Sequence, residues 1–290
     1  MTLRLVLVGL ASFALSALLT VAAKPLARRL DVVARPRGDR WNRKTIPLLG
    51  GVAVGAAVLA VAPAVVSLSG PIVILLVASA FALALGLLDD VRPLPPYTKL
   101  IAQIVLAAGM VSAGLRLELS PFALANVVLT ILWVVGIANA FNLLDNMDGL
   151  AAGIAVITVG FRLAFFLVDA DAQGAAAAMV LLGAVAGFLI FNFPPASIFM
   201  GDAGSLFIGV FIAGLSLGAE FPYSRNVASV LLIPVLILLV PIFDTSFVAI
   251  NRTLAGRPVS QGGRDHLSHR LVALGLSERA AEQSRRTPAM

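Results

Sequence analysis

The chain has no cysteine and only two histidines in 290 residues. Without thiols there is no disulfide framework, no thiolate metal site and no cysteine nucleophile, and two imidazoles fall short of an all-histidine zinc site. Charge is the next scarcity: Asp, Glu, Lys and Arg make up 12% of the residues while 60% are hydrophobic, and the mean hydropathy is +1.00. Soluble domains carry about 25% charge with about half their residues apolar, so this composition excludes a water-soluble globule and a disordered tail. What the chain has in abundance is long uncharged apolar runs, which read as a membrane protein.

Hydropathy picks out runs near 3–23, 47–67, 71–88, 98–114, 121–143, 149–168, 174–191, 203–218 and 226–250, each close to the roughly 20 residues that cross ~30 Å of hydrocarbon. Outer-membrane strands would be about ten residues long and alternating. The expected fold class is therefore all-α, a polytopic bundle of about nine transmembrane helices over residues 1–250, followed by a tail over 251–290. A cleaved signal would have a shorter apolar region and a small-residue cleavage site, so Leu3 to Ala23 reads as the first helix. Pro234 and Pro241 are expected to bend the ninth run. No internal repeat, low-complexity tract or soluble domain is visible.

Orientation follows from the cations. Segment 24–46 holds eight (Lys24, Arg28, Arg29, Arg35, Arg37, Arg40, Arg43, Lys44), 89–99 holds Arg92 and Lys99, and the tail from Asn251 holds seven. If nine helices alternate, all three segments share one side, which the positive-inside rule makes cytoplasmic, with the amino end outside and the carboxyl end inside. Most of this charge reads as topology and attraction to anionic lipid, and the remainder is available for phosphate.

Acids are rarer, and most cluster at the inner ends of the runs. Asp89 and Asp90 close the third run in GLLDDVRPLPPYTK. A helix carboxyl end carries partial negative charge, so adjacent carboxylates there call for a metal ion or a lysine, and Lys99 is near. In NAFNLLDNMDGLAAG, Asn139, Asn142, Asp145 and Asp148 recur every three residues. Such spacing shares a helix face, so at least the first three should form one polar stripe into the inner mouth of the bundle. Capping alone would explain Asp148 but not carboxamides extending up an apolar helix.

FNFPPASIFMGDAGSLFIG joins the seventh and eighth runs: Asn192, Pro194 and Pro195 end one, and Gly201, Asp202, Gly204 and Ser205 open the next. A helix amino end with small residues leaves N–H groups open to phosphate, and Asp202 beside it suits the divalent cation a diphosphate brings; the plainer reading of Asp202 is an N-cap. After the ninth run, Asp244 lies just inside that helix, and Arg264, His266, His269 and Arg270 follow a Gly-Pro-rich loop. With arginines on both sides and no third imidazole, the histidine pair reads as a phosphate or sugar contact. Arg162 lies well inside the sixth run and is expected to snorkel to the outer interface or pair with a neighbour.

Carboxylates, carboxamides, a glycine-bearing helix start and cations thus gather between lipid and cytosol. That suits transfer of a phosphate-linked group from a soluble nucleotide to a lipid. The hard oxygen donors favour Mg²⁺, with Mn²⁺ as a substitute, over zinc.

These motifs resemble the polyprenyl-phosphate N-acetylhexosamine-1-phosphate transferase superfamily (glycosyltransferase 4 family), most closely its bacterial undecaprenyl-phosphate N-acetylglucosamine-1-phosphate transferase branch. The resemblance runs from PLLGG at 47–51 through LLDD, NAFNLLDNMDGL and FMGDAGS to RDHLSHRL. It implies that Asp89 and Asp90 are the acidic pair, one assisting deprotonation of the lipid phosphate, with Lys99 on the phosphate side and Asp145 in the motif without a settled role. It implies Asp202 as principal Mg²⁺ ligand with Asn142 near the metal. Asp148 and Phe199 would lie near uracil, and Arg264, His266, His269 and Arg270 would cover the sugar or diphosphate. Asn139 and Asn192 join the expected nucleotide and sugar contacts, and Lys44 and Asp244 are further phosphate-side candidates. The implied reaction converts UDP-sugar and polyprenyl (undecaprenyl) phosphate to polyprenyl-diphosphate-sugar and UMP, by direct attack, at the cytoplasmic face of the bacterial inner membrane. A homodimer is expected by analogy and a nucleic-acid partner is not.

The sequence departs from the family pattern at Asn146, where glycine is usual, at Asn42, where histidine is often found, and in an HxxH pair where many members have HxHH. Relatives also continue into at least one more transmembrane helix, whereas this chain ends at Met290 in a charged segment. Three alternatives stand beside the main reading: a phospho-N-acetylmuramoyl-pentapeptide transferase, an inactive lipid-binding homologue, and an ion-coupled transporter. The transporter would place its acids near the midplane of repeated halves, not at one face.

Overall fold

A computed structural model describes residues 2–35, 45–68, 70–217 and 239–256. Lys44, Arg264, His266, His269 and Arg270 lie outside the described residues, as does 226–238 of the ninth apolar run. Among the described residues there are nine helices: α1 (Thr2–Arg29), α2 (Gly50–Val65), α3 (Gly70–Val91), α4 (Pro96–Ser112), α5 (Ala123–Leu144), α6 (Leu150–Val168), α7 (Ala172–Asn192), α8 (Gly201–Leu217) and α9 (Leu239–Leu254). Asp244 falls within α9, and its side chain is outside what is described. Between α1 and α2 a short antiparallel ladder pairs β1 (Val33–Ala34) with β2 (Ile46–Pro47), Val33 opposite Pro47 and Ala34 opposite Ile46.

Five helices, Leu3–Arg29, Gly70–Val91, Ala123–Leu144, Leu150–Val168 and Ala172–Asn192, are long and apolar enough to cross a membrane. α2 and α8 are shorter apolar helices. A helix that is apolar all round belongs inside a bundle, and α8 is the plainest case: every residue from Gly201 to Leu217 is buried except Asp202. It packs against α2, α3, α5 and α6. The outer helices instead expose large apolar side chains, among them Leu3, Leu7, Leu10 and Leu18 on α1 and Ile101 and Val105 on α4, as lipid-facing surfaces require.

Two glycines set how close α8 comes to its neighbours. A Cβ on Gly51 would collide with the backbone N and Cα of Gly204, and one on Gly86 with the backbone carbonyl of Asp202. Small residues at such crossings let backbones touch, which in lipid replaces the hydrophobic drive available in water. The PLLGG segment is also bonded directly to the α7–α8 loop: Phe199 N–H donates to Pro47 O at 2.8 Å, Gly50 N–H to Phe199 O at 3.0 Å and Gly51 N–H to Met200 O at 2.8 Å. Two motifs some 150 residues apart in sequence therefore form one clasp.

The bundle has two distinct ends. At one, Gln173 Oε1 accepts from Ser67 N–H at 2.7 Å and Arg4 reaches Val65 O, joining the starts of α1 and α7 to the end of α2. The other gathers the ends of α3, α5 and α7 and the starts of α4, α6 and α8. Arg162 stands near the first end but does not snorkel. It is 3% exposed, donates from Nη2 to Leu215 O in the last turn of α8 at 2.9 Å, and lies 4.8 Å from the centre of the Phe166 ring. A cation at a helix carboxyl end opposes the partial negative charge there.

Candidate active site

The site is built where α3, α4, α5 and α8 converge. α3 ends at Val91, so Asp89 and Asp90 close it in its last turn, as read from the sequence. Successive helical residues point about 100° apart, and the two carboxylates go to different partners. Asp90 turns to α8: its Oδ1 accepts from Asp202 N–H at 2.9 Å and its Oδ2 from Ala203 N–H at 3.0 Å. Asp89 turns to α4: its Oδ1 accepts from Leu94 N–H and its Oδ2 from the Lys99 ammonium, both at 2.6 Å. The bond to Leu94 fixes the turn that brings Lys99 back to α3.

Lys99 Nζ is also 3.0 Å from Asp202 Oδ2. One ammonium thus bridges carboxylates from α3 and α8, with side chains that are neither sealed nor open: Lys99 is 23%, Asp89 10% and Asp202 30% exposed. Charge in such a partly dry place is costly unless paired, and a residue of this kind in a membrane bundle marks function by default.

The helix start at α8 differs from its reading in the sequence. The N–H groups of Asp202 and Ala203, expected to be open to phosphate, are taken by Asp90. Asp202 is not the N-cap either: it stands in the first turn, and its carboxylate is bonded to Lys99.

The carboxamide stripe of α5 is divided between two neighbours. Asn139 donates to Gln103 Oε1 of α4 at 2.5 Å and Asn142 to Ser205 Oγ of α8 at 2.9 Å, while Ser205 Oγ donates to Gly201 O at 3.1 Å. Asp145 forms the C-cap of α5, so the helical stripe ends before it. Gln103 and Ser205 were not singled out in the sequence. Gln103, 4% exposed, is the residue one turn after Lys99 on the same face of α4, a lone carboxamide among apolar neighbours, and that is the signal it carried.

Asp148 and Asn192 tie the α5–α6 turn to the α7–α8 loop. Asp148 Oδ2 accepts from Ala196 N–H at 2.8 Å, and Asn192 accepts from Gly149 N–H at 3.1 Å while donating to Ile198 O at 3.0 Å. Gly149 has φ 71°, a left-handed conformation that glycine adopts without strain. Asn192 is 2% exposed with both ends of its carboxamide used, so it shapes the loop from within. Phe199, half-buried, belongs to the same loop and bonds to the clasp through its backbone.

Among the described residues no three His, Cys, Asp or Glu side chains form a group that could hold a metal ion. The oxygen donors near the start of α8 are the Asp202 carboxylate and the carboxamide of Asn142, whose bond to Ser205, one turn after Asp202, uses its NH₂ and leaves its oxygen for a cation or another donor. This all-oxygen, carboxylate-poor set fits Mg²⁺, which keeps several waters and takes one or two protein carboxylates plus substrate phosphates. It does not fit a protein-caged zinc or calcium ion.

Residues 72–220 match the family model described as Glycosyl transferase family 4. The chain is 35% identical over 286 residues to a probable undecaprenyl-phosphate N-acetylglucosaminyl 1-phosphate transferase of Bacillus subtilis, covering 95% of this chain and 79% of that protein. It is 35% identical over 315 residues to a decaprenyl-phosphate N-acetylglucosaminephosphotransferase of Mycobacterium tuberculosis, covering 95% and 77%. Similarity to a phospho-N-acetylmuramoyl-pentapeptide-transferase of Lactobacillus delbrueckii subsp. bulgaricus, 34% over 215 residues, covers 66% of this chain and 67% of that one.

Proposed function

The chain belongs to glycosyl transferase family 4, and on that footing we propose that it transfers N-acetylglucosamine-1-phosphate from the UDP-sugar to polyprenyl phosphate, releasing UMP. The observation that carries this reading is the Asp89–Lys99–Asp202 cluster at one end of an apolar bundle. It lies where a lipid phosphate anchored in the bilayer and a nucleotide sugar from the aqueous side would meet. Relatives whose names give undecaprenyl or decaprenyl phosphate as acceptor match nearly the whole chain, whereas the pentapeptide transferase matches two thirds of it.

In this reading an oxygen of the lipid phosphate attacks the sugar-bearing phosphorus of the UDP-sugar. The new P–O bond forms as the bond to UMP breaks, and a carboxylate of the acidic pair takes the proton of the lipid phosphate. Lys99, which divides its charge between two carboxylates, turns to the incoming phosphate oxygens. Asp202, with the Asn142 oxygen, would hold Mg²⁺. When bound, that ion supplies neutralisation of the diphosphate as UMP departs. Asp148, Phe199 and the clasp around them form the nucleotide side, and the segment carrying Arg264, His266, His269 and Arg270 covers the sugar or diphosphate.

The same reading sets the protein in the bacterial inner membrane with nine spans and the site on the cytoplasmic face. Among the described residues, Lys24, Arg28, Arg29, Arg35, Arg92 and Lys99 all flank the ends of helices on the site's side, in keeping with the positive-inside rule. A homodimer is part of the proposal by analogy.

The test is UMP release by the purified protein from UDP-N-acetylglucosamine and from UDP-muramoyl-pentapeptide, with polyprenyl phosphate and with or without Mg²⁺. Turnover with the amino sugar that needs Mg²⁺ and drops by at least about 10³ in Asp202→Asn is expected. Activity confined to the pentapeptide substrate would replace the proposal with its runner-up, and solute flux without UMP would replace it with a transporter.

A further inference from the structure

Resting on the reading just given, we propose that the adjacent acids have separate tasks: Asp89 faces the reactants, and Asp90 is a positioning residue that fixes the start of α8 and through it the Asp202 carboxylate.

The geometry separates them. Both oxygens of Asp90 are spent on backbone amides of the first turn of α8, at 2.9 and 3.0 Å. The first N–H groups of a helix have no partner within it and usually take one from a Ser, Thr, Asp or Asn just before the helix. Here the preceding residue is Met200, which cannot serve, and the acceptor arrives from α3, more than a hundred positions earlier. The approach is prepared on both sides. Gly201 has φ 74°, and a Cβ there would lie 2.6 Å from Asp90 Oδ2. Gly86, one turn before Asp90, lets the α3 backbone touch the carbonyl of Asp202. Asp90 is therefore the polar lock of the tightest α3–α8 contact.

Asp89 is held differently. One oxygen anchors the α3–α4 turn through Leu94, and the other is bonded to the Lys99 ammonium, a partner on a flexible stem that can be given up to a phosphate. Asp90 has no such exchangeable partner: were it to turn away, the backbone amides of Asp202 and Ala203 would be left unpaired inside the bundle.

Trp133 supplies a reporter independent of turnover. Its indole N–H donates to Ala213 O of α8 at 3.3 Å, and the only other tryptophan is Trp41. Asp89→Asn, Asp90→Asn and Asp90→Ala would be made in a Trp41→Phe background and purified as the full chain. Trp133 emission is then read without Mg²⁺ or substrate, alongside UMP release across a Mg²⁺ titration. We expect Asp89→Asn to leave Trp133 emission unchanged while turnover falls by about 10²–10⁴, the range for loss of a proton-transfer group. Asp90→Asn, which keeps one acceptor oxygen, should shift the emission and raise the Mg²⁺ concentration for half-maximal rate about tenfold, with turnover at saturating Mg²⁺ falling less than in Asp89→Asn. Asp90→Ala should do both more strongly, and if it fails to fold the Asn variant carries the comparison. The assignment is overturned if Asp90→Asn is as inactive as Asp89→Asn with Trp133 emission unmoved, since Asp90 would then act on the reactants. Absence of UMP from the Trp41→Phe parent with every UDP-sugar would sink the proposed function instead, while the emission shifts would still decide the capping of α8.

Discussion

Lys99 and Asp202 meet across two helices, the ammonium 3.0 Å from the carboxylate, and the same ammonium holds Asp89 at 2.6 Å. By formal charge one ammonium thus serves two carboxylates, which leaves the cluster short of one cation's worth of compensation. In the reaction proposed, Lys99 leaves Asp202 for the incoming phosphate as a cation arrives at that carboxylate.

Removing the ammonium exposes that deficit. Lys99→Met should destabilise the protein by about 1–3 kcal/mol, less than the ~3–5 kcal/mol typical of a fully buried broken pair because water reaches the cluster. UMP release should fall by more than about 100-fold. Thermal melting in detergent, read beside initial rates, checks both, and a variant with near-native turnover would remove Lys99 from the phosphate side.

Close helix contact at α8 predicts an asymmetry between two glycines. Gly51→Ala drives a methyl group into the Gly204 backbone and should cost about 1–3 kcal/mol or more, with activity falling as α2 and α8 separate. Gly109→Ala, on α4 with nothing within 4 Å of the added methyl, should be neutral or slightly stabilising. Melting curves of the two proteins side by side test this, and equal effects would contradict the packing described.

Orientation can be read chemically because the chain has no cysteine of its own. Ser197→Cys, in the exposed loop at the site's end, should resist a membrane-impermeant maleimide in intact spheroplasts and react once the membrane is opened. Glu118→Cys, whose side chain is 73% exposed between α4 and α5, should react from outside. The reverse pattern would turn the bundle over.

Much of the scaffold is legible in the sequence because a membrane helix must satisfy its backbone within itself, so an apolar run of the right length leaves few choices. The run at 71–88 becomes Gly70–Val91 and that at 203–218 becomes Gly201–Leu217. The last turn of α3 matters, since it holds Asp89 and Asp90 on a helix and so sends them in different directions. The polarity of Asn139 and Asn142 is legible too, but their partners are not: Gln103 and Ser205 lie on other helices, and spacing along one helix says nothing about which neighbour faces it. Similarly, the sequence could not show that α8 takes its cap from α3. For Arg162 the sequence left two courses open, snorkelling or pairing with a neighbour, and a carbonyl at the end of α8 decides for the second.

The enclosure of α8 has a consequence for how the chain can change. Leucines on α1 or α4 that face lipid can be exchanged for other apolar residues with little effect on the bundle. Sixteen of the 17 residues of α8, by contrast, touch protein on all sides, where a single methylene is felt. Asp202 is therefore surveyed from a fixed internal post, with Asp90 at its foot and Arg162 at its head. Drift in the outer helices, or a bilayer of different thickness, can remodel the perimeter while α8 keeps its seat among α2, α3, α5 and α6.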